Sequence, residues 1–324
     1  MDTNAKIYVA GHRGLVGQAL VRQLTAQGFA NIVTRTRSEL DLMEQAAVRD
    51  FFAAEKPDYV FDAAAIVGGI QANNEYPADF IAGNLMIQTN LIDTAYRSGA
   101  KKLLFLGSTC IMPREAPQPM KEEYMLTGPL EETNQWYAIA KIAGIKMCQA
   151  YRRQYGFDAI SVQPTNLFGI GDNFDYETSH MVAALIRKMH DARVSGADTV
   201  TIWGTGTPRR EIMFADDMAD ACIFLMRNYS GEDFVNIGVG DDITITDFAR
   251  LVADVVGFDG KFVYDTSKPD GTPRKLVDVT RLNALGWKSG ISLREGVERT
   301  YAWFVENEDN LRTLGAENFA RKAG

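Results

Sequence analysis

The stretch Lys6-Ile7-Tyr8-Val9-Ala10-Gly11-His12-Arg13-Gly14-Leu15-Val16-Gly17 decides the fold. Lys6 to Ala10 reads as a short buried strand, and helical periodicity runs from Leu15 to about Gln27. Glycines between a first strand and a first helix have physical work to do. They make a tight turn, let a pyrophosphate approach the backbone, and let helix and strand pack closely, with phosphate at the positive helix end. The spacing is GxxGxxG rather than GxGxxG. Its place at the opening of the first helix favours a dinucleotide site over a merely structural turn. Gly11, His12, Arg13, Gly14, Leu15, Val16 and Gly17 are therefore candidate cofactor residues.

The next strand selects the cofactor. Asn31-Ile32-Val33-Thr34-Arg35 leads into Thr36-Arg37-Ser38, with no Asp or Glu at the strand tip. An acidic residue there would hold the ribose 2′-OH of NAD, whereas arginine suits the 2′-phosphate of NADP. Arg13 and Arg37 are the expected phosphate partners, which makes NADP(H) the expected cofactor. Further strand-like runs at Tyr59–Ala63, Lys102–Gly107 and Ala159–Pro164 are separated by helical stretches at about 78–98 and 135–154. This alternation predicts an α/β fold, a Rossmann-type doubly wound parallel sheet with ligands at the C-terminal strand ends. From about residue 166 glycine and proline become more frequent and strands shorten, which predicts a smaller C-terminal α/β substrate domain. The expected nucleotide domain is 1–165 plus about 212–240, and the expected substrate domain is 166–211 and 241–324.

A net charge of −8 over 324 residues, with no basic run, argues against nucleic-acid binding. An anionic ligand must then be held by a local group of Arg and Lys. No signal peptide or apolar span of transmembrane length is evident, so a cytoplasmic protein without membrane partners is expected. Cys110, Cys148 and Cys222 suit a reducing compartment. No His/Cys cluster has metal-ligand spacing, and no metal is expected.

The chemistry centres on Tyr137-Ala138-Ile139-Ala140-Lys141, which lies 29 residues after Ser108. Tyr and Lys four apart share a helix face. A nearby ammonium lowers a phenol's pKa, and a serine hydroxyl could bond the carbonyl oxygen that the phenol protonates. Ser108, Tyr137 and Lys141 thus suit reduction of a ketone. Cys110 would share a cleft with Ser108 if the strand continued past it. His180 follows a loop and precedes an apolar helix. A thiol and an imidazole can serve as acid and base on opposite faces of one carbon. Sequence alone does not bring these two together.

With those residues in view, the chain resembles the GDP-L-fucose synthase family of the extended short-chain dehydrogenase/reductases nearly end to end. The matching stretches are Gly11–Gly17, Val67-Gly68-Gly69-Ile70, Gly107–Ile111, Tyr137–Lys146, Pro164–Leu167, Trp203–Glu211 and Lys268–Lys275. The resemblance implies an epimerase/reductase acting on GDP-4-keto-6-deoxy-D-mannose. It implies that Cys110 and His180 exchange protons at C3 and C5, that Tyr137 protonates the reduced C4 oxygen, and that Lys141 and Ser108 assist. It implies cofactor contacts at Arg37, Ser38, Leu40, Asp41, Leu106, Gly107, Thr109, Pro164, Thr165, Asn166 and Leu167. It further implies GDP-sugar contacts at Lys188, Trp203, Arg210 and Asp278, and a homodimer paired through nucleotide-domain helices.

Several positions depart from the family pattern: Ile66, Met112, Asp175-Tyr176, Ala183 and Ile212-Met213-Phe214. They are expected to flank the sugar pocket, where lost polarity would suit a substrate lacking the 3-hydroxyl. A GDP-L-colitose synthase is therefore an alternative reading. A 4-epimerase or dehydratase with recycled NAD is a second, which Arg13, Arg37 and the Cys110/His180 pair oppose. A non-catalytic NADP sensor is a third, opposed by the intact Ser108, Tyr137 and Lys141.

Overall fold

A computed structural model describes residues 1–311 apart from Glu177 and Pro269. The first half alternates as the sequence predicts. Its elements are β1 (Ile7–Ala10), α1 (Leu15–Ala26), β2 (Ile32–Val33), α2 (Gln45–Glu55), β3 (Tyr59–Asp62), α3 (Ile70–Glu75), α4 (Pro77–Arg97), β4 (Lys102–Leu106), α5 (Gln135–Tyr155) and β5 (Ala159–Pro164). The second half is more broken: β6 (Asn166–Phe168), α6 (Met181–Ser195), β7 (Thr199–Trp203), β8 (Arg209–Arg210), β9 (Ile212–Phe214), α7 (Ala215–Asn228) and β10 (Val235–Ile237). It ends with β11 (Ile243–Thr244), α8 (Ile245–Val256), β12 (Lys261–Asp265), β13 (Arg274–Lys275), α9 (Thr280–Leu285) and α10 (Leu293–Glu306).

Six strands form one parallel sheet in the order β10-β5-β4-β3-β1-β2. Its strands are mostly apolar because helices cover both faces. Tyr8, Val60 and Phe105 point into a core shared with Leu91 of α4 and Ile145 of α5. Ile7, Val9, Phe61 and Leu104 point the other way, toward Leu20 of α1 and Cys222 of α7. The sheet grows from β1 to β2 on one side and then from β3 onward on the other. A crevice opens at such a switch point, at the carboxyl end of β1.

After β5 the chain leaves the sheet and returns for β10, which pairs with β5. The excursion and the later segments form a third core around α6, α8 and α10, with Phe174, Ile186, Phe248, Val252 and Phe304 buried. Its strands are short and pair in small groups: β11-β8-β13, β12-β7 and β6-β9. Leu282 and Trp287 return to the main sheet's second core. Fully buried Glu211 ties these parts together, its carboxylate accepting the amides of Val239 (2.8 Å), Gly240 (2.7 Å) and Val277 (2.9 Å). Among the described residues no helix is long and apolar enough to cross a membrane, and no residue group could hold a metal ion.

Candidate active site

The glycine turn is built as its spacing demands. Gly11 has φ +76, and a Cβ there would lie 2.6 Å from the Ala63 carbonyl oxygen. A Cβ at Gly17 would lie 2.1 Å from the Gly11 carbonyl oxygen, so α1 can press against the turn only without one. Gly14 occupies the N-cap of α1, and among the described residues no side chain caps that end. The free amides of a helix start are left for an anion. His12 sits in the turn with its Nδ1 buried and without a partner, and burial with the neighbouring Arg13 lowers its pKa.

β2 is shorter than the sequence suggests, ending at Val33. The arginines beyond it divide in function. Arg35 is engaged by α2, its guanidinium 2.5 Å from Glu55 and 5.2 Å from the centre of the Phe51 ring. Arg37 projects into solvent with a loose 3.8 Å contact to Asp41. Glu39 is tied back to Thr36, accepting its amide and hydroxyl at 2.7 Å each. Leu40 packs into the core, Ser38 is exposed, and Asp41 accepts the Met43 amide. The strand tip thus offers an exposed arginine and a carboxylate already engaged.

Leu106, Gly107, Thr109, Pro164, Thr165, Asn166 and Leu167 all lie at the carboxyl ends of β4 and β5. Gly107 donates its amide to Val162 (2.7 Å), and Asn166 Nδ2 donates to the Glu211 carbonyl (2.8 Å). Ser108 ends the extended segment, but the chain does not continue as a strand. Thr109–Ile111 turns into a single 3-10 turn with Ser108 at its start. The tighter turn still leaves the Cys110 thiol close enough to the Ser108 hydroxyl for that group to ease its ionisation.

Tyr137 and Lys141 share a face of α5, as their spacing requires. Lys141 is 3 % exposed and donates to the Leu106 carbonyl at 2.8 Å. Its ammonium lies 4.7 Å from the centre of the Phe105 ring and 5.7 Å from that of Tyr137. One expectation is corrected here. Lys141 was expected to lower the phenol's pKa, yet Tyr137 is held above the usual phenol range, by burial first and then by Cys110 and Asp62. The ammonium is committed to a backbone carbonyl, so burial of the phenol prevails.

Burial also raises the Cys110 thiol's pKa, opposed by Ser108, Lys275 and Lys141. Lys275 lines a small cavity together with Cys110 and Met112. His180 stands at the N-cap of α6. It is exposed to solvent but crowded by protein, as on a cleft wall, and that crowding lowers its pKa. Among the described residues no hydrogen bond joins His180 to Cys110. The structure thus gathers Ser108, Cys110, Tyr137 and Lys141 at one strand end and leaves His180 on another element.

A different assembly surrounds Trp203 at the end of β7. Its indole is 61 % exposed and flanked by Lys188 at 5.2 Å and Lys268 at 5.3 Å from the ring centre. Asp270 accepts the Thr205 amide (2.6 Å), and its carbonyl oxygen takes a 3.4 Å contact from Arg210. Asp278 does not join this group. Its carboxylate accepts the Thr280 amide at 2.9 Å at the start of α9, and its own amide donates to Met120. Asp270 is the carboxylate beside Arg210. Sequence reading missed Lys268, Asp270 and Lys275, although all three lie inside the Lys268–Lys275 motif.

The departures from the family pattern also fall differently than expected. Ile66 packs on Gly83 of α4, near Met43, and its backbone is bracketed by the Asn84 side chain. Asp175 accepts the Thr178 amide and hydroxyl at 2.9 Å each, shaping the loop before His180. Ala183 and Met213 are core residues, while Ile212 and Phe214 are buried yet also line a cavity beside Arg210. Tyr176 is exposed, its hydroxyl on Asp191 at 2.9 Å and its ring under Arg187. Met112 alone of these lines the cavity beside Cys110, among the described residues.

Comparison with known proteins gives a consistent picture. Residues 7–238 match the model of the NAD dependent epimerase/dehydratase family. GDP-L-fucose synthase 1 of Arabidopsis thaliana is 60 % identical, covering 95 % of this chain and 96 % of its own length. GDP-L-fucose synthase of Escherichia coli K12 is 52 % identical over 95 % of this chain and 98 % of its own. GDP-L-colitose synthase of Yersinia pseudotuberculosis is 37 % identical over 94 % and 99 %. Among solved structures, a GDP-L-fucose synthetase from Naegleria fowleri bound to NADP superposes with a TM-score of 0.89 at 28 % identity, covering 97 % of this chain and 98 % of that one. At such identity over nearly the whole of both chains, this chain belongs to the GDP-L-fucose synthase family, within the NAD-dependent epimerase/dehydratases.

Proposed function

We propose that the chain is an NADPH-dependent epimerase/reductase that converts GDP-4-keto-6-deoxy-D-mannose to GDP-L-fucose. The observation that carries this reading is the closeness of the Cys110 thiol to the Tyr137 phenol, near enough for the thiol to act on the phenol's ionisation. A simple ketone reductase needs the phenol but has no use for a second proton-handling group beside it. An epimerising reductase needs both. The Arabidopsis and Escherichia coli fucose synthases stand well above the colitose synthase in similarity, and most of the departures serve packing or loop shape.

The cradle fits NADP. Gly11 and Gly17 leave room for the pyrophosphate at the start of α1, and Arg37 with Arg13 suits the 2′-phosphate. Ser38, Leu40 and Asp41 would border the adenosine side; Leu106, Gly107, Thr109 and Pro164–Leu167 would border the nicotinamide side. The bound cofactor supplies the hydride. The chain's own residues do the rest.

The C4 carbonyl acidifies the hydrogens at C3 and C5, because the resulting carbanion is delocalised as an enolate. Cys110 and His180 face the sugar from two elements, and together they carry one exchangeable proton at rest: the thiol is protonated and the imidazole neutral. One proton shared by two groups is what removal from one face and return to the other requires. Ser108 steadies the carbonyl oxygen. Tyr137, held as a phenol by its burial, donates a proton to that oxygen as the ketone is reduced. Trp203 offers a stacking face between two ammonium groups, and Lys188, Lys268 and Arg210 would hold the diphosphate of the GDP-sugar.

The three cores support a division into a nucleotide domain, 1–165 with about 212–240, and a GDP-sugar domain made of 166–211 and 241–324, with Leu282 and Trp287 reaching back to the first. Exposed Trp136, Ile139 and Tyr155 on α5, beside α4, support a homodimer through that pair of helices. A cytoplasmic location agrees with three buried free cysteines. The direct test is incubation with GDP-4-keto-6-deoxy-D-mannose and NADPH in deuterated water, with NMR of the product. GDP-L-fucose labelled at C3 and C5 is expected. A clear preference for the 3,6-dideoxy substrate would make Met112 a specificity residue and the enzyme a colitose synthase.

A further inference from the structure

Asp62, at the carboxyl end of β3, is fully buried, and none of the steps above uses it. Its side chain shares the face of Val60, the α4–α5 side of the sheet. In the parallel register Asp62 pairs with Phe105 of β4 and with Ala10 of β1. Lys141 lies over the Phe105 ring, with its ammonium on the carbonyl of the following residue, Leu106. The carboxylate and the ammonium therefore flank Phe105 on one dry face of the sheet. Asp62 Oδ1 accepts the Ala64 amide at 3.3 Å, while Oδ2 is buried with no hydrogen-bond partner. Among the described residues Lys141 makes no direct ion pair.

We propose that Asp62 is a positioning residue whose carboxylate holds Tyr137 and Lys141 in their protonated, proton-donating state. This rests on the reductase reading above. A negative charge in a dry environment favours the ammonium of Lys141 and disfavours the phenolate of Tyr137. Both effects push the pair toward donating a proton, the direction that ketone reduction needs. The other titratable groups that feel Asp62 are Tyr8 from β1 and Cys148 and Tyr137 from α5, while Cys110, from the turn after β4, acts on Tyr137 and Lys141. None of these carries a positive charge, so Lys141 is the cation to which Asp62 couples, with Arg35 reaching no further than Tyr8. Burial lifts Asp62 itself to about 6, and Lys141 opposes that rise, so the carboxylate is ionised at the pH where the enzyme would work.

Asp62→Asn keeps the shape and removes the charge. With saturating NADPH and keto-sugar, this variant should match the parent near neutral pH and fall behind by on the order of tenfold at pH 9, because Lys141, whose ammonium burial already weakens, loses its proton earlier. An equal loss at every pH would mean a structural role only and overturn the proposal. A second readout needs no turnover. In protein labelled at lysine Cε, the Lys141 resonance, identified by its loss in Lys141→Met, should titrate at lower pH in Asp62→Asn than in the parent. An unmoved titration overturns the proposal. If the parent reduces no keto-sugar, the function assignment fails while this titration still decides the role of Asp62. If the Asn variant does not fold, the parent suffices: its Lys141 resonance should show a step as Asp62 takes up a proton near pH 6, and no step would overturn the proposal.

Discussion

Along the carboxyl edge of the main sheet the chain is held by backbone: glycines without room for a Cβ, amides left free at a helix start, and a lysine bonded to a carbonyl. Around Trp203, by contrast, the surface is made of long side chains standing in solvent. The first wall is largely buried and hydrogen-bonded within itself, while the second stands in solvent. Changes to the first should therefore strike the chemical step, and changes to the second should strike affinity.

The largest effect should come from Tyr137→Phe. Removing the proton donor should cut reduction by about three orders of magnitude, within the range general acids contribute. Solvent deuterium should still enter the sugar at C5, because Cys110 and His180 remain. If exchange stops as well, the two half-reactions share one donor and the division of labour is wrong. Cys110→Ser should come next, slowing epimerisation on the order of a hundredfold, since a hydroxyl exchanges protons poorly near neutral pH. NADPH affinity, measured by fluorescence titration, should hardly change. A large loss of cofactor binding would make Cys110 a packing residue instead.

The buried wall was the legible one. A strand, a glycine turn and a helix in succession carry their own period and spacing, so the sheet, its switch point and the Tyr137–Lys141 face follow from sequence. What sequence could not show was the electrostatic balance inside that wall. The i, i+4 spacing places Lys141 beside Tyr137 but says nothing of the Leu106 carbonyl that holds the ammonium, nor of the burial that raises the phenol. Asp62 was invisible for the same reason: a single acid ending a buried strand looks like a turn residue until its register with Phe105 is known. The solvated wall was legible only in part. Its strands are two to five residues long and pair across distant segments, so Asp270 meets Arg210 and Thr205 through topology that no local period encodes. Asp278, implied by the resemblance, instead accepts the Thr280 amide just ahead of α9.

Two smaller effects sharpen the contrast. Arg37→Ser should reduce the preference for NADPH over NADH by roughly tenfold or more, by loss of a charge-assisted contact to the 2′-phosphate. Stopped kinetics with both cofactors would check it, and an unchanged ratio would shift that role to Arg13. Trp203→Ala should raise KM for the GDP-sugar by about tenfold, the loss of one stacking face, and leave kcat within a small factor. A fall in kcat with KM unchanged would place Trp203 on the chemical side of the cleft and break the comparison.

The smallest effect is thermal and concerns one lysine from each wall. Lys141 helps keep the Asp62 carboxylate ionised, so Lys141→Met should let Asp62 hold its proton to higher pH in the folded state. The sign follows from linkage. Asp62 already titrates near 6 when folded, above the 3.8 of the free side chain, so its share of stability is present at low pH and is lost as pH rises through the folded value. Raising that value extends the loss upward. The melting temperature of Lys141→Met relative to the parent should therefore fall between pH 5 and pH 8, by a few degrees for roughly 1–2 kcal/mol of lost interaction. Lys188→Met, half-exposed beside Trp203 with no carboxylate acting on it, should show a flat difference over the same range. Scanning calorimetry on both variants would measure it. Equal slopes would mean that Asp62 and Lys141 are screened from one another, and that the sheet wall is wetter than its burial implies.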